Sequence, residues 1–238
     1  MRYIGCVREP AESMSEMAEG ECIEAQGEQT AVARAVIYRF LARCFSHPDR
    51  ELIELIDSAR LEEFLQSWRY LGLEASESIT RAADWLTKWP SPETALLELE
   101  KEYTRLFITA YPKVVAPPYS SMYLNKERLV WGRSTSEVAR LYEAAGLSIH
   151  KDFHDIPDHI AAELEFASYL IVEQQKDREN GSTPGEELCS LGQRFLEEHL
   201  FRWAPSFLKQ ILECSTAVFY RDIALTAREF LEWDAARY

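Results

Sequence analysis

The sequence predicts an all-α fold, a single globular helical domain of about ten helices. Three observations carry that expectation. Apolar residues recur at three- and four-residue steps along most of the chain, which is the period of one buried helix face. Only 9 of 238 residues are Gly and 10 are Pro, too few for the many tight turns of an all-β fold. No segment alternates apolar and polar residues over a strand's length. The hydrophobic fraction of 47% and the 11 Tyr, 11 Phe and 6 Trp supply a large core.

Residues 1–28 stand apart as an acidic leader, possessing seven Glu against Arg2 and Arg8. Low apolar content and high charge predict disorder there, with a short helix over 13–26 as the alternative. Residues 29–238 form the helical domain. Val32, Val36, Ile37, Phe40, Leu41, Cys44 and Phe45 share one helix face, and Pro48 stops it. Leu52–Ile56 make a short second helix. Leu61, Phe64, Leu65, Trp68 and Leu71 make a third that ends near Gly72. Ile79, Ala82, Ala83 and Leu86 make a fourth, closed by Pro90. Ser91-Pro92-Glu93 reads as an N-cap with proline at the first helical position. The helix that follows has Leu96, Leu99, Tyr103, Leu106 and Phe107 on one stripe. Residues 109–132 break the pattern with Pro112, Pro117, Pro118, Gly132 and four aromatic side chains, and a connection this long is usually functional. Ser134-Thr135-Ser136-Glu137 has the spacing of a capping box, and Gly146 ends the helix it opens. After a second loop, a helix runs over 158–178. Three more follow over 185–200, 205–219 and 222–234.

The charge balance of −14 argues against a nucleic-acid footprint and favours cationic partners. Five cysteines without a CxxC pair predict free thiols in a reducing compartment. No run approaches the ~20 apolar residues of a membrane span, and no apolar signal region opens the chain. The expected location is cytoplasmic, with no stable membrane insertion.

Two constellations carry chemistry. Asp155-Ile156-Pro157-Asp158-His159 places acids and an imidazole at the start of a helix, where Asp158 is suited to cap it. His150, His154 and His159, with Asp152, Asp155, Asp158 and Glu163 nearby, leave a metal-dependent hydrolase open, although there is no HExxH. No GxSxG elbow, Walker loop or GxGxxG occurs. Tyr103-Thr104-Arg105-Leu106-Phe107, followed by Pro117-Pro118-Tyr119-Ser120-Ser121-Met122-Tyr123-Leu124, is suited to an aromatic groove for a peptide or to plain core packing. A helical scaffold that binds a partner protein is the third reading.

Together these residues resemble the TorD/DmsD/NarJ family of redox-enzyme maturation chaperones. That family has an aromatic-x-x-Leu-Phe motif, matched by Tyr103 to Phe107, and a later Glu-Pro-x-Asp-His motif. Here Asp155 stands for the Glu and the proline falls one place later, while Asp158-His159 is intact. The loop at 117–121, Glu163-Leu164-Glu165-Phe166 and the stretch from Phe195 to Trp203 are also similar. The resemblance covers roughly residues 32–232. It implies an all-α, non-enzymatic chaperone that binds the twin-arginine signal peptide and the body of a molybdopterin-dependent oxidoreductase subunit, assisting cofactor insertion and proofreading before export. It implies no resident cofactor, with weak guanine nucleotide or molybdopterin contact as an accessory, and a monomer or domain-swapped dimer. On that basis Tyr103, Leu106, Phe107, Pro118, Tyr119, Ser121, Tyr123, Asp155, Asp158 and His159 are the expected peptide-binding residues, the acids pairing with arginine and the aromatics lining the apolar part.

Overall fold

A computed structural model describes residues 4–6, 21–56, 59–74, 76–110, 113–125, 130–149, 155–179 and 186–238. The calls on His150, Asp152 and His154, and on most of the acidic leader, lie outside them. The helices are α1 (Glu21–Phe45), α2 (Arg50–Ile56), α3 (Ala59–Tyr70), α4 (Ser76–Thr87), α5 (Pro92–Tyr103), α6 (Ser121–Leu124), α7 (Arg133–Ala144), α8 (Ile160–Glu179), α9 (Glu186–Phe195), α10 (Phe201–Cys214) and α11 (Val218–Ala235). π-Helical turns at Thr104–Ile108 and Leu196–Leu200 extend α5 and join α9 to α10. The expectation of no strand is corrected at one place: β1 (Ile4–Cys6) pairs antiparallel with β2 (Leu147–Ile149), Ile4 opposite Ile149. Three-residue strands are too short to show a period of two. Nor does residue 28 mark a break, since α1 begins at Glu21 and runs through it.

Helix ends follow local chemistry. Ser91 accepts from the Thr94 N–H at 3.3 Å, with Pro92 in the first turn. Asp49 caps α2 by accepting from the Leu52 N–H at 3.1 Å. α3 ends in a Schellman motif: the Leu73 N–H reaches the Trp68 carbonyl and the Gly72 N–H that of Arg69, with Gly72 at φ 70°. Gly146, at φ 73°, closes α7 in the same left-handed region. The capping box does not form. α7 starts one residue earlier, at Arg133 after Gly132, without a side-chain cap. Ser134 instead accepts from the Asn125 side chain, and Glu137 pairs with Arg133. The helix expected to begin at 205 is likewise part of a longer one, for Pro205 lies inside α10.

α8 is the central element. Residues 158–171 are buried on every side, as expected of a helix surrounded by others, and its most extensive neighbour is α1. The Ser168 hydroxyl ties the pair by donating to the Ala35 carbonyl at 2.9 Å. A second layer of α4, α10 and α11 packs through aromatic rings, with Phe207 against Phe45, Phe107 and Trp203. The Glu102 carboxylate anchors the turn before α11, accepting from the Thr216 and Ala217 N–H groups, the Ser215 and Thr216 hydroxyls and Arg105. Burial alone would raise it, but these donors hold it down at about 2.

Candidate functional site

The aromatic loop is positioned by the first π turn. The Leu106 carbonyl lies in its last turn, where no intrahelical donor reaches it; it accepts from the Ala116 N–H at 2.8 Å and draws the loop back over α5. A second fastening joins the loop to the start of α8. The Ile160 N–H donates to the Pro118 carbonyl at 2.8 Å, the Ser120 N–H to the Asp158 carbonyl at 3.0 Å, and Tyr119 bridges His159 in antiparallel fashion.

The Asp155 to His159 motif forms the core of this fastening. Asp158 is fully buried and does not cap α8. Its carboxylate crosses to the loop, accepting from the Ser121 N–H at 2.8 Å and approaching the Ser120 hydroxyl at 3.4 Å. The cap is His159, whose Nδ1 accepts from the Ala161 N–H at 3.1 Å. Burial holds this imidazole below its ordinary value, against the pull of Asp155 and Asp158. A neutral ring that accepts at Nδ1 has its proton on Nε2, the atom 3.8 Å from Asp155 Oδ2. The Tyr142 hydroxyl donates to the Pro157 carbonyl at 2.9 Å and completes the brace.

Beneath it lies a polar triad inside the core. Glu163 accepts from His199 Nε2 at 2.9 Å and Trp203 Nε1 at 2.8 Å, with no exposed surface. It joins α8 to the second π turn and α10.

Between the loop, the first π turn and α10 lies an open groove of about 470 Å³. Phe107, Ile108, Val115, Tyr119, Tyr123 and Val130 line it, and the Tyr123 hydroxyl donates to Gln210 Oε1 at 2.8 Å on its far wall. Ile108 and Val130 are about half exposed, and Trp131 beside them is 71% exposed at φ 68°. Asp155 stands at one edge, hydrogen-bonded to Tyr119. Burial and that carboxylate push the Tyr119 hydroxyl up.

The ten expected residues therefore divide. Phe107, Tyr119 and Tyr123 line the groove and half-buried Asp155 flanks it. Tyr103, Leu106, Pro118, Ser121, Asp158 and His159 are buried and hold the groove's walls, out of reach of a peptide in this structure. Ile108, Val115, Val130 and Gln210 were not expected. Val130 sits in the aromatic loop, but Gln210 is nearly ninety positions from Tyr123 and has no local signal. Asp158→Ala is expected to lower the free energy of unfolding by about 1–3 kcal/mol, since it strands a buried N–H. Urea unfolding checks this, and a wild-type midpoint would refute the brace. Among the described residues, no group of His, Cys, Asp and Glu is arranged to hold a metal ion, and no helix is long and apolar enough to cross a membrane.

The sequence profile of the nitrate reductase delta subunit family matches residues 69–209. The chaperone protein TorD of Aliivibrio salmonicida is 31% identical over 202 residues, covering 84% of this chain and 92% of that protein. The TorD chaperone of Vibrio atlanticus is 28% identical over 209 residues, with the same coverage. A crystal structure described as a redox enzyme maturation protein from Archaeoglobus fulgidus superposes with a TM-score of 0.52 at 26% identity, over 83% of this chain and 93% of that one. With this likeness and the helical architecture, the chain belongs to the TorD family of redox enzyme maturation chaperones, a non-enzymatic family.

Proposed function

We propose that this protein is a cytoplasmic chaperone that binds the twin-arginine signal peptide and the apo-form of a molybdopterin-dependent oxidoreductase, assists cofactor insertion and holds export back until the enzyme is complete. The observation that carries this reading is the apolar groove of Phe107, Tyr119 and Tyr123 with Asp155 at its edge. A twin-arginine leader has a cationic segment followed by an apolar one. The groove offers a carboxylate beside an apolar trough, with mobile-tipped side chains such as Met122 that adapt to varied sequences.

Family membership sets aside the metal-dependent hydrolase. Asp155 is the acid placed to meet arginine, in place of the buried Asp158. Isothermal titration with a synthetic twin-arginine leader is expected to give micromolar-range binding, and Tyr119→Ala to weaken it about tenfold by removing one aromatic wall and the Asp155 contact. Folded protein that gives no heat with leaders from several molybdoenzymes would sink the proposal.

A further inference from the structure

α6 has two faces. Met122 and Tyr123 look into the apolar groove, whereas Leu124 and Asn125 line a second hollow of about 620 Å³. α10 runs beneath both, giving Gln210 to the first and Arg202 to the second. The second hollow gathers Arg133, Arg140, Arg194 and Arg202 against Glu137 and Glu198, a positive excess on a chain of net charge −14. Arg133 is paired with Glu137 at 2.6 Å. Arg140, Arg194 and Arg202 are exposed and make no ion pair among the described residues. Structural arginines on this protein, such as Arg34, Arg81 and Arg105, are each matched to a carboxylate; these three are not.

We infer that the arginine hollow is a second docking site, taking the carboxylates of an acidic stretch in the same client polypeptide whose apolar segment lies in the groove. The inference rests on the proposed function. Guanidinium groups hold carboxylates through paired N–H donors. The two glutamates inside the hollow disfavour a dense polyanion such as a polyphosphate and suit a peptide whose acids are spaced apart. The two hollows meet at α6: Asp155 is hydrogen-bonded to Tyr119 of the first, and the arginines line the second beside Leu124. A bound chain is met by a carboxylate from the first hollow and by guanidinium groups from the second.

Three synthetic peptides test this by fluorescence anisotropy against the full chain. Each has two arginines and an apolar run; one ends there, one adds a tail with two glutamates, and one has glutamines in their place. The glutamate tail is expected to tighten binding about tenfold over the glutamine tail, an advantage that disappears in the surface double variant Arg140→Gln/Arg202→Gln. If all three peptides bind alike, the second site is wrong and the groove stands. An advantage that survives in the variant also overturns the inference, because the acids are then met elsewhere. If no peptide binds, both readings fail. Sodium pyrophosphate that binds wild type but not the variant, with the two tailed peptides binding alike, would assign the hollow to phosphate ligands and overturn it as well.

Discussion

Glu163→Ala is expected to lower the free energy of unfolding by about 3–5 kcal/mol, because it leaves His199 and the Trp203 indole N–H buried without their acceptor. Glu163→Gln should cost less, since an amide still accepts from Trp203 and donates to a neutral His199. The loss should also depend on pH. Burial pushes the Glu163 carboxyl above its ordinary value, with His199 and Trp203 opposing. Burial, the largest single influence, would lower His199, but the charge and hydrogen bond of Glu163, with Asp158 and Glu137 adding to them, together hold the imidazole above 6.5. A folded value above the unfolded one means a contribution that is full below about pH 6.5 and lost as pH rises through the folded value. The raised carboxyl acts in the same direction, binding more protons in the folded state from 4.5 upward. The penalty of Glu163→Ala is therefore larger at about pH 6 than at about pH 8. Urea denaturation followed by tryptophan fluorescence at the two values reads it directly. A penalty that grows with pH would reverse the assignment.

Phe107→Ala should be similarly severe, at about 3–5 kcal/mol. The ring is 2% exposed and meets Tyr103 at 4.9 Å, Tyr220 at 5.3 Å and Phe207 at 5.8 Å. It is also groove wall, so truncation hollows the core and the trough together. Phe107→Leu keeps most of the volume and is expected to recover the greater part of the loss, leaving less than about 1.5 kcal/mol. Thermal unfolding of the two variants separates lost packing from general intolerance. Equal destabilisation by both would show that the ring's shape matters more than its volume.

The sequence was most informative where the cause is local. Ser91 with Pro92, the glycines at 72 and 146, and the stripe of α1 from Val36 to Phe45 all act within a few residues of themselves and form as the spacing predicts, whereas Val32, expected on that stripe, is exposed. It was least informative where a distant group competes. Asp158 has every local reason to cap α8, yet its carboxylate satisfies the buried Ser121 N–H and leaves the cap to His159. Ser134 and Glu137 have capping-box spacing, but Asn125 and Arg133 claim their oxygens. Periodicity correctly grouped Tyr103, Leu106 and Phe107 on one side of a helix. It could not say that only Phe107 reaches the groove, because that depends on where α10 lies. The arginines of the second hollow come from α7, α9 and α10 and have no shared signal along the chain.

Two of the stretches that resemble the family by sequence, Tyr103 to Phe107 and Phe195 to Trp203, fall on or beside a π turn. Such a turn accommodates one residue more than an α-helix would over the same length. Losing a single residue from Leu196–Leu200 would therefore leave an ordinary helix with both flanks still in phase, whereas losing one from within α10 would turn everything beyond it by about 100°. A loss between Trp203 and Gln210 would set the indole that meets Glu163 and the amide that meets Tyr123 on different sides of the helix. Residue count is thus tolerant at the π turn and constrained beside it: the same deletion that the bulge absorbs changes which side of α10 faces inward.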